Sequence, residues 1–349
     1  MRGMTRRWIV RESQPDADRI NGLDLPPLVK RVLLARGFSD PNQIERFCEP
    51  RLSHLHDPAL LPGVDAAAAR IVDAVKRDQS IVIYGDYDVD GITATAILFH
   101  VIKTVAPAAK IRTYVPHRLD EGYGLNSEAL KQLKTDGAEL VITVDCGISA
   151  IEPANVAREI DLDLIITDHH ELRPLSPGSA APGIGSNLPH AHAIVHPRLD
   201  GSNYLFGDLC GAGVAFKLAW RFATMWCNSQ RVSDALQKTL LNMLPLVALG
   251  TIADVVPLVD ENRVMTAFGL RLIKQTPIVG LRALIEASDL IGEKIDAERV
   301  GFALAPRLNA IGRLGHAADA VRLLTEANAD EAQSIARKLT EVNQHRQGV

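Results

Sequence analysis

The chain has 349 residues, with 38 basic against 42 acidic side chains and 47% hydrophobic residues. This length predicts two or three domains, and the formal net charge of −4 excludes a globally basic, histone-like nucleic-acid binder but not a local basic groove. The four cysteines show no CxxC spacing, which argues against a structural zinc site or a disulfide framework and indicates a reducing, cytoplasmic compartment.

The N-terminal part carries repeated turn signals. Pro and Asp recur through residues 1–60, so we predict an irregular N-terminal extension with short helices over residues 1–64. No apolar stretch follows the basic N-terminus, and we expect no secretory signal there. The longest apolar stretch, 240–259, contains prolines and Asp254, so we expect a buried soluble segment rather than a membrane span and no membrane partner.

From residue 65 onward, short apolar runs alternate with helical periodicities. The runs are rich in Ile, Val and Thr: IVIY (81–84), IRTYV (111–115), ELVITV (139–144), DLIIT (163–167) and AIV (193–195). Apolar strands separated by helices predict an α/β fold with a doubly wound, mainly parallel sheet. After a Pro/Gly-rich loop at 172–192 the periodicity is mostly helical, so we predict an α/β domain at 65–260 and a helical connector at 261–349.

Acidic residues and histidines follow three of these strands at the point where each strand ends. They are Asp86, Asp88 and Asp90 after the first strand, Asp145 after the third, and Asp168, His169 and His170 after the fourth. Because the carboxyl ends of parallel strands form one edge of a sheet, we expect these side chains to share a cleft. Such a carboxylate cluster repels itself without a cation, and oxygen and imidazole ligands suit Mn²⁺ or Mg²⁺, with Zn²⁺ as an alternative.

Each of these residues taken singly has a simpler explanation. Asp145 alone is as readily a helix cap, and adjacent histidines in a loop are more often solvated than metal ligands. Asp254 is an isolated acid in an apolar stretch, where it either binds a metal or caps the following helix. His190, His192 and His196 lie in or beside the Pro/Gly loop, and we predict that they are solvated. The joint placement on neighbouring strand ends is what favours a metal site, and a bridging carboxylate would give two metal ions.

Four motifs, in this order, resemble those of the DHH phosphoesterase superfamily: DYDVDG (86–91), VDCG (144–147), DHH (168–170) and GTIADVVPL (250–258). Their surroundings, including VPHR…EGYGLN (115–126) and PRLNAIGRLG (306–315), are similar to the RecJ family of bacterial exonucleases. The resemblance spans about residues 65–345. It implies a 5′→3′ exonuclease that hydrolyses single-stranded DNA with two Mn²⁺ or Mg²⁺ ions and acts in DNA repair and recombination.

The resemblance also implies residue roles. The implied metal ligands are Asp88, Asp90, Asp145, His169 and Asp254, with Asp145 as the bridge and Asp86 as a further candidate. His170 is implied to lie beside the scissile phosphate, and Asp168 to orient a histidine. The candidate contacts to DNA phosphates are Arg118, Arg307, Arg313 and Asn309, although a surface ion pair explains each arginine about as well.

The chain departs from the superfamily pattern at one ligand position. Many members carry a histidine four residues before the first Asp of DxD, where this chain has Tyr84. Asp86 or water is then expected to replace that ligand. The family also implies single-stranded-DNA-binding protein and a RecQ-type helicase as partners. Because its members usually continue into further DNA-clamping domains, we expect weak, poorly processive activity from these 349 residues alone.

Three other functions fit parts of the pattern. DVDGIT (88–93) after an apolar strand also suits the nucleophile loop of haloacid-dehalogenase-type phosphatases, which leaves VDCG and DHH without a role. A small-substrate phosphodiesterase or pyrophosphatase of the same superfamily is a second alternative. A non-catalytic scaffold with the DHH fold is the third, although the motif acids that a metal site needs are present.

Overall fold

The computed structural model describes Ile20 and residues 22–117, 122, 124–172, 188–312 and 317–347. The chain divides into two compact units, Met1–Leu55 and His56–Val349. The first unit contains helices Pro27–Ala35 (α1) and Pro41–Cys48 (α2) and a 3₁₀ turn at Leu52–His54. Both helices begin with proline, whose missing N–H costs nothing at that position, and Asp40 caps α2 by accepting the N–H of Asn42.

Five parallel strands form the sheet of the second unit, in the order β2-β1-β3-β4-β5. Their bounds are β1 Ile81–Gly85, β2 Ile111–Tyr114, β3 Leu140–Val144, β4 Asp163–Thr167 and β5 Ala193–Val195. The predicted α/β class with a parallel sheet is confirmed. β1 and β3 are buried along their whole length, as expected for strands that are covered on both faces.

Helices account for most of the remaining structure. They are α3 (Val64–Lys76), α4 (Val89–Val105), α5 (Ser127–Thr135), α6 (Ile151–Glu159), α7 (Gly211–Trp226), α8 (Asp234–Ala253), α9 (Asp260–Leu272), α10 (Val279–Ala287), α11 (Ala297–Arg299), α12 (Ala305–Gly312), α13 (Ala317–Thr325) and α14 (Ala329–Gln347). Short 3₁₀ turns at Pro58–Leu60 and Ile273–Gln275 and a π-helical stretch at Val300–Leu304 complete the described elements.

The core on one face of the sheet is built by alternation along the strands. Val82 and Tyr84 of β1 pack with Leu130 of α5 and Ala154 of α6. Successive strand residues point to opposite faces, so the intervening Ile83, also fully buried, belongs to the other layer. This two-sided burial leaves the carboxyl edge of the sheet as the place where polar groups gather.

Helix α8 is the one described helix that is long and apolar enough, by length and composition, to cross a membrane. Within its most apolar stretch 61% of the residues are buried inside the protein. Leu244, Val247 and Leu249 are among them and belong to the core. Because a core helix of a soluble protein has the same composition, α8 is weak evidence for a membrane span.

Candidate metal centre

Three aspartates occupy the turn between β1 and α4. Asp88 precedes α4, and its Oδ1 accepts a hydrogen bond of 3.0 Å from the N–H of Gly91, which caps the helix. The turn folds back so tightly that a Cβ on Gly91 would lie 2.7 Å from the Cβ of Asp86. Burial and the neighbouring charge of Asp88 raise the pKa of Asp86 to about 7.

Asp90 lies at the N-terminus of another helix, α7. Its Oδ2 accepts a hydrogen bond of 2.5 Å from the N–H of Gly211, and its Oδ1 accepts one of 2.8 Å from Ala212. The positive end of a helix favours a carboxylate at this position. Burial and the charge of Asp88 nevertheless raise the pKa of Asp90 to about 7, because these bonds offset only part of the desolvation.

Asp145 directly follows β3 and has a left-handed backbone conformation. Its φ is +62°, in the left-handed region where Asp and Asn are the commonest residues after glycine. Gly211 packs directly against it, since a Cβ on that glycine would lie 2.6 Å from the Cβ of Asp145. Burial, and then the charge of Asp90, raise the pKa of the Asp145 carboxyl well above its ordinary value.

Asp168 and His170 form a hydrogen-bonded pair beyond β4. Oδ1 of Asp168 lies 2.7 Å from Nδ1 of His170, and Oδ2 accepts the N–H of Ile148 at 2.9 Å. Burial by itself would raise the pKa of Asp168, but the bonds from His170 and Ile148 hold it below its usual value. An ionised Asp168 only accepts, so Nδ1 of His170 carries the proton, and the same bond raises the pKa of His170.

His169 stands between three carboxylates. Its Nε2 lies 3.1 Å from Oδ1 of Asp145, 3.6 Å from Oδ2 of Asp254 and 3.7 Å from Oδ2 of Asp90. None of these contacts has the geometry of a hydrogen bond, since Nε2 has no hydrogen-bond partner in the described part of the chain. Burial lowers the pKa of the His169 imidazole, which favours the neutral form that binds metals.

Three overlapping groups of side chains have ligand atoms that all lie within 4.8 Å of one another. The groups are Asp86 with Asp88 and Asp145, Asp145 with His169 and His170, and Asp90 with His169 and Asp254. Every metal ligand that the sequence predicted belongs to at least one group. Asp145 and His169 each belong to two, so the groups are joined into one cluster.

The donor atoms of this cluster fit divalent metal ions. Oδ1 of Asp86, Oδ1 of Asp145 and Nε2 of His169 are buried without a hydrogen-bond partner among the residues that the structure describes. A buried polar atom without a hydrogen-bond partner lowers the stability of the folded state. The pKa values of these carboxyl groups are raised because burial and neighbouring negative charges disfavour their ionised form. Carboxylate oxygens with one or two imidazoles are the ligands that Mn²⁺ and Mg²⁺ accept.

Asp254 directly follows the last residue of α8 and does not cap the next helix. Its N–H donates to the carbonyl of Gly250 at 2.9 Å, and α9 begins only at Asp260, preceded by Val259. The alternative that Asp254 caps the following helix is therefore wrong. Burial, followed by the charge of Asp90, raises the pKa of Asp254 to about 6.

Tyr84 occupies the ligand position of the superfamily as a core residue. It is fully buried, and its hydroxyl donates a hydrogen bond of 3.0 Å to the carbonyl of Gly124. Its ring packs on Tyr114 with 5.1 Å between the centroids. Asp86, two residues further along the chain, belongs to a ligand group together with Asp88 and Asp145.

The structure describes two of the four predicted contacts to DNA phosphates, and both make internal hydrogen bonds. Oδ1 of Asn309 accepts the N–H of Val89 at 3.1 Å, at the start of α4. Arg307 donates to Oγ1 of Thr340 at 3.1 Å and to the carbonyl of Ala303 at 2.7 Å. Arg118 and Arg313 lie outside the described residues. Asn309 thus supports the turn that carries the aspartates.

Two buried features were not predicted from the sequence. His196, predicted to be solvated, is fully buried, and this prediction is wrong because β5 carries it under the DHH motif. His190 and His192 are exposed, as predicted. Deeper in the core, Lys217 forms an ion pair with Glu261, and both side chains are fully buried. No periodicity or motif distinguishes these residues, since their partners are distant in sequence.

Comparisons with known proteins agree with this geometry. The model of the DHH family, N-terminal domain, matches residues 80–251. The single-stranded-DNA-specific exonuclease RecJ of Bacillus subtilis is 40% identical over 346 residues, which cover 98% of this chain and 40% of that protein. The chain therefore spans less than half the length of this curated relative.

Two solved structures share the fold. The crystal structure of exonuclease RecJ bound to manganese matches with a TM-score of 0.70 and 36% identity, covering 85% of this chain and 69% of that one. RecJ from Thermus thermophilus in complex with Mn²⁺ matches with a TM-score of 0.75 and 32% identity, covering 95% of this chain and 44% of that one. Together with the acids and histidines at the strand ends, these similarities establish that the chain belongs to the DHH family.

Proposed function

We propose that this chain is the catalytic part of a metal-dependent exonuclease that hydrolyses phosphodiester bonds of single-stranded DNA in the 5′→3′ direction. The observation that carries the proposal is the joined cluster of carboxylates and imidazoles, in which three buried ligand atoms have no hydrogen-bond partner among the described residues. It is supported by the curated relatives, which are single-stranded-DNA-specific exonucleases, and by similar structures that hold Mn²⁺ or Mg²⁺.

Two Mn²⁺ or Mg²⁺ ions fit the ligand groups. Asp86, Asp88 and Asp145 would hold one ion, and Asp90, His169 and Asp254 the other. Asp145 would be shared between the two ions, because its Oδ1 lies 3.1 Å from Nε2 of His169. Bound ions of this kind neutralise phosphate charge and lower the pKa of an attacking water. The N-terminus of α7 fixes the carboxylate of Asp90 through two N–H groups, so its orientation is set before any ion binds.

His170 and Asp168 are the proposed proton-handling pair. The bond from Nδ1 of His170 to Asp168 fixes the ring orientation and favours the protonated imidazole. With 44% of its side chain exposed, His170 can meet a phosphate that the ions hold. A protonated ring would stabilise the charge that develops on the phosphate oxygens or deliver a proton to the leaving oxygen.

The proposal extends to the organisation of the chain and its setting. Residues 65–260 would form the catalytic domain, 1–64 an N-terminal extension and 261–349 a helical connector. DNA phosphates would be held by Arg118, Arg307 and Arg313 without regard to sequence, while Asn309 supports the turn before α4. Single-stranded-DNA-binding protein and a RecQ-type helicase are the proposed partners, and cytoplasmic DNA repair and recombination the proposed setting.

Digestion of labelled single-stranded DNA tests the proposal. We expect Mn²⁺-dependent release of mononucleotides from a 5′-labelled strand of several tens of nucleotides, none from blunt duplex DNA, and none from the Asp145→Ala variant. Cleavage of dinucleotides and trinucleotides with the long strand left intact would instead assign a small-substrate phosphodiesterase. A chain that binds Mn²⁺ and DNA without cleaving either substrate would be a scaffold.

A further inference from the structure

The segment that follows β5 runs alongside the DHH motif. β4 and β5 are parallel and pair Thr167 with Val195, so the residues after each strand leave the sheet side by side. The N–H of Asp168 continues the ladder by donating to the carbonyl of Val195 at 3.1 Å. The register therefore brings residues 196–198 against 168–170.

The His196 side chain is fully buried in this contact and has a defined protonation pattern. Its Nδ1 accepts the backbone N–H of Arg198 at 3.0 Å, so the ring proton of neutral His196 is on Nε2. Nε2 lies 2.8 Å from the carbonyl oxygen of His170 and donates to it. One imidazole thus links the backbone of two loops and leaves neither of its nitrogens unpaired.

Arg198 makes the neighbouring contact. Its Nη2 donates a hydrogen bond of 2.5 Å to the carbonyl oxygen of His169. The stem of the side chain passes over Gly207, where a Cβ would come within 3.0 Å of Cγ of Arg198. The carbonyls of two successive motif residues are therefore each bound by a side chain of the same short segment.

We propose that His196 and Arg198 are positioning residues that set the orientation of His169 and His170 in the metal centre. This inference rests on the proposed function, because it assigns these histidines to metal and phosphate. Binding both carbonyls fixes the peptide planes on either side of His170, and with them the directions in which the two rings leave the backbone. Neither His196 nor Arg198 belongs to a ligand group among the described residues.

Variants of His196 separate positioning from packing. His196→Gln places an amide N–H near the position of Nε2 and retains the donor, while His196→Leu keeps the apolar volume and removes it. We expect His196→Leu to weaken Mn²⁺ binding and to lower kcat, each by about 10–100-fold, which is the usual effect of losing an interaction that orients a ligand. KM for DNA should stay within about two-fold of the wild-type value. His196→Gln should recover most of both losses.

Three further variants complete the set. Arg198→Met keeps the stem and removes the donor, and we expect it to lower Mn²⁺ affinity about 10-fold, with partial recovery in Arg198→Lys. His192→Leu is the matched control, because His192 lies directly before β5 and is exposed. It should bind Mn²⁺ and cleave DNA as the wild type does.

The measurements are a Mn²⁺ titration followed by electron paramagnetic resonance, thermal unfolding without metal, and the kinetics of single-strand digestion. Unchanged Mn²⁺ affinity and kcat in His196→Leu would overturn the inference, as would His196→Gln behaving like His196→Leu in folded protein. If the wild type bound Mn²⁺ without cleaving DNA while His196→Leu bound it more weakly, the nuclease proposal would fail and the positioning role would stand.

Discussion

The backbone N–H of Gly211 donates a hydrogen bond of 2.5 Å to Oδ2 of Asp90, although the two residues are 121 positions apart in the chain. The same glycine lies so close to Asp145 that a Cβ would approach its Cβ to 2.6 Å. One residue at the start of α7 therefore touches two proposed metal ligands, Asp90 in the first turn of α4 and Asp145 after β3. The start of α7 therefore supports two proposed ligands, although neither Gly211 nor Ala212 has a side chain that can bind a metal.

Gly211→Ala tests this contact. Alanine is a better helix former than glycine by about 1 kcal/mol. Its Cβ would nevertheless displace the side chain of Asp145, and moving a ligand by about 1 Å can lower the reaction rate about 100-fold. We expect a loss of about that size in Mn²⁺-dependent digestion. Gly301→Ala is the control, because a Cβ there would make only an ordinary contact of 3.8 Å with Ile252. Equal activity of the two variants would contradict the prediction.

The second prediction concerns the charge of Asp145. Asp145→Asn replaces a carboxyl group whose ionisation burial and the neighbouring carboxylates oppose with a neutral amide, so the metal-free variant should unfold at a higher temperature than the wild type at pH 8. The rise in unfolding temperature that Mn²⁺ gives the wild type should disappear, because the shared ligand is lost. Thermal unfolding with and without Mn²⁺ measures both effects.

Asp161→Asn is the matched control for this experiment. Asp161 also has a positive φ, +53° against +62° for Asp145, but it is exposed. Asparagine tolerates the left-handed region at both positions, so the control isolates the charge from the backbone preference. A similar gain in unfolding temperature in both variants would show that backbone conformation, rather than charge, was responsible.

The third prediction is the pH dependence of stability. The pKa values of Asp86 and Asp90 in the folded metal-free chain are about 7, above the ordinary value of 3.8. The folded state therefore binds more protons than the unfolded state between about pH 4 and 7, and these groups make stability fall as the pH rises through that window. Above pH 7 their full destabilising effect is present unless a cation replaces the protons.

Unfolding temperatures from pH 5 to 8 check this sign. We expect the unfolding temperature of the metal-free wild type to fall relative to that of Asp86→Asn as the pH rises. Saturating Mn²⁺ should reduce this difference in unfolding temperature most at pH 8. Mn²⁺ affinity should rise over the same range, since binding releases protons from the carboxyl groups. A difference between the two proteins that stays constant from pH 5 to 8 would contradict the assignment.

The fourth prediction concerns the buried ion pair of Lys217 and Glu261. Glu261 also accepts hydrogen bonds from Tyr204 and from the N–H of His56, and Lys217 donates to the carbonyl of His56 at 2.7 Å. Removing one partner leaves an uncompensated buried charge, so Lys217→Met and Glu261→Gln should each cost about 3–5 kcal/mol in the free energy of unfolding.

The double variant distinguishes pairing from packing. Lys217→Met with Glu261→Gln removes both charges. Its loss in the free energy of unfolding should be smaller than the sum of the two single losses, and this coupling energy should be about 1–3 kcal/mol. Urea denaturation of the four proteins gives this coupling directly. Additive losses would mean that the two residues stabilise the core independently.

The sheet and the candidate ligands could be predicted from the amino-acid sequence. The apolar runs predicted the cores of all five strands, with β4 and β5 predicted to the residue. The signal is clearest in β1 and β3, because strands that are buried on both faces are rich in Ile, Val and Leu. Asp88, Asp145 and His169 were predictable as one cluster because the carboxyl ends of parallel strands meet at one edge. These features follow from local pattern and general topology.

How that cluster is held depends on the packing of the folded chain. The contact of α7 with Asp90, the support of the DHH backbone by His196 and Arg198, and the bond from Asn309 to the start of α4 each join residues far apart in sequence. In each of these hydrogen bonds one partner is a backbone N–H or carbonyl group. Because nearly every residue has such groups, the pairing cannot be predicted from a pattern of side chains. The motifs therefore identify the candidate ligands, while the orientation of those side chains depends on how the chain packs around them.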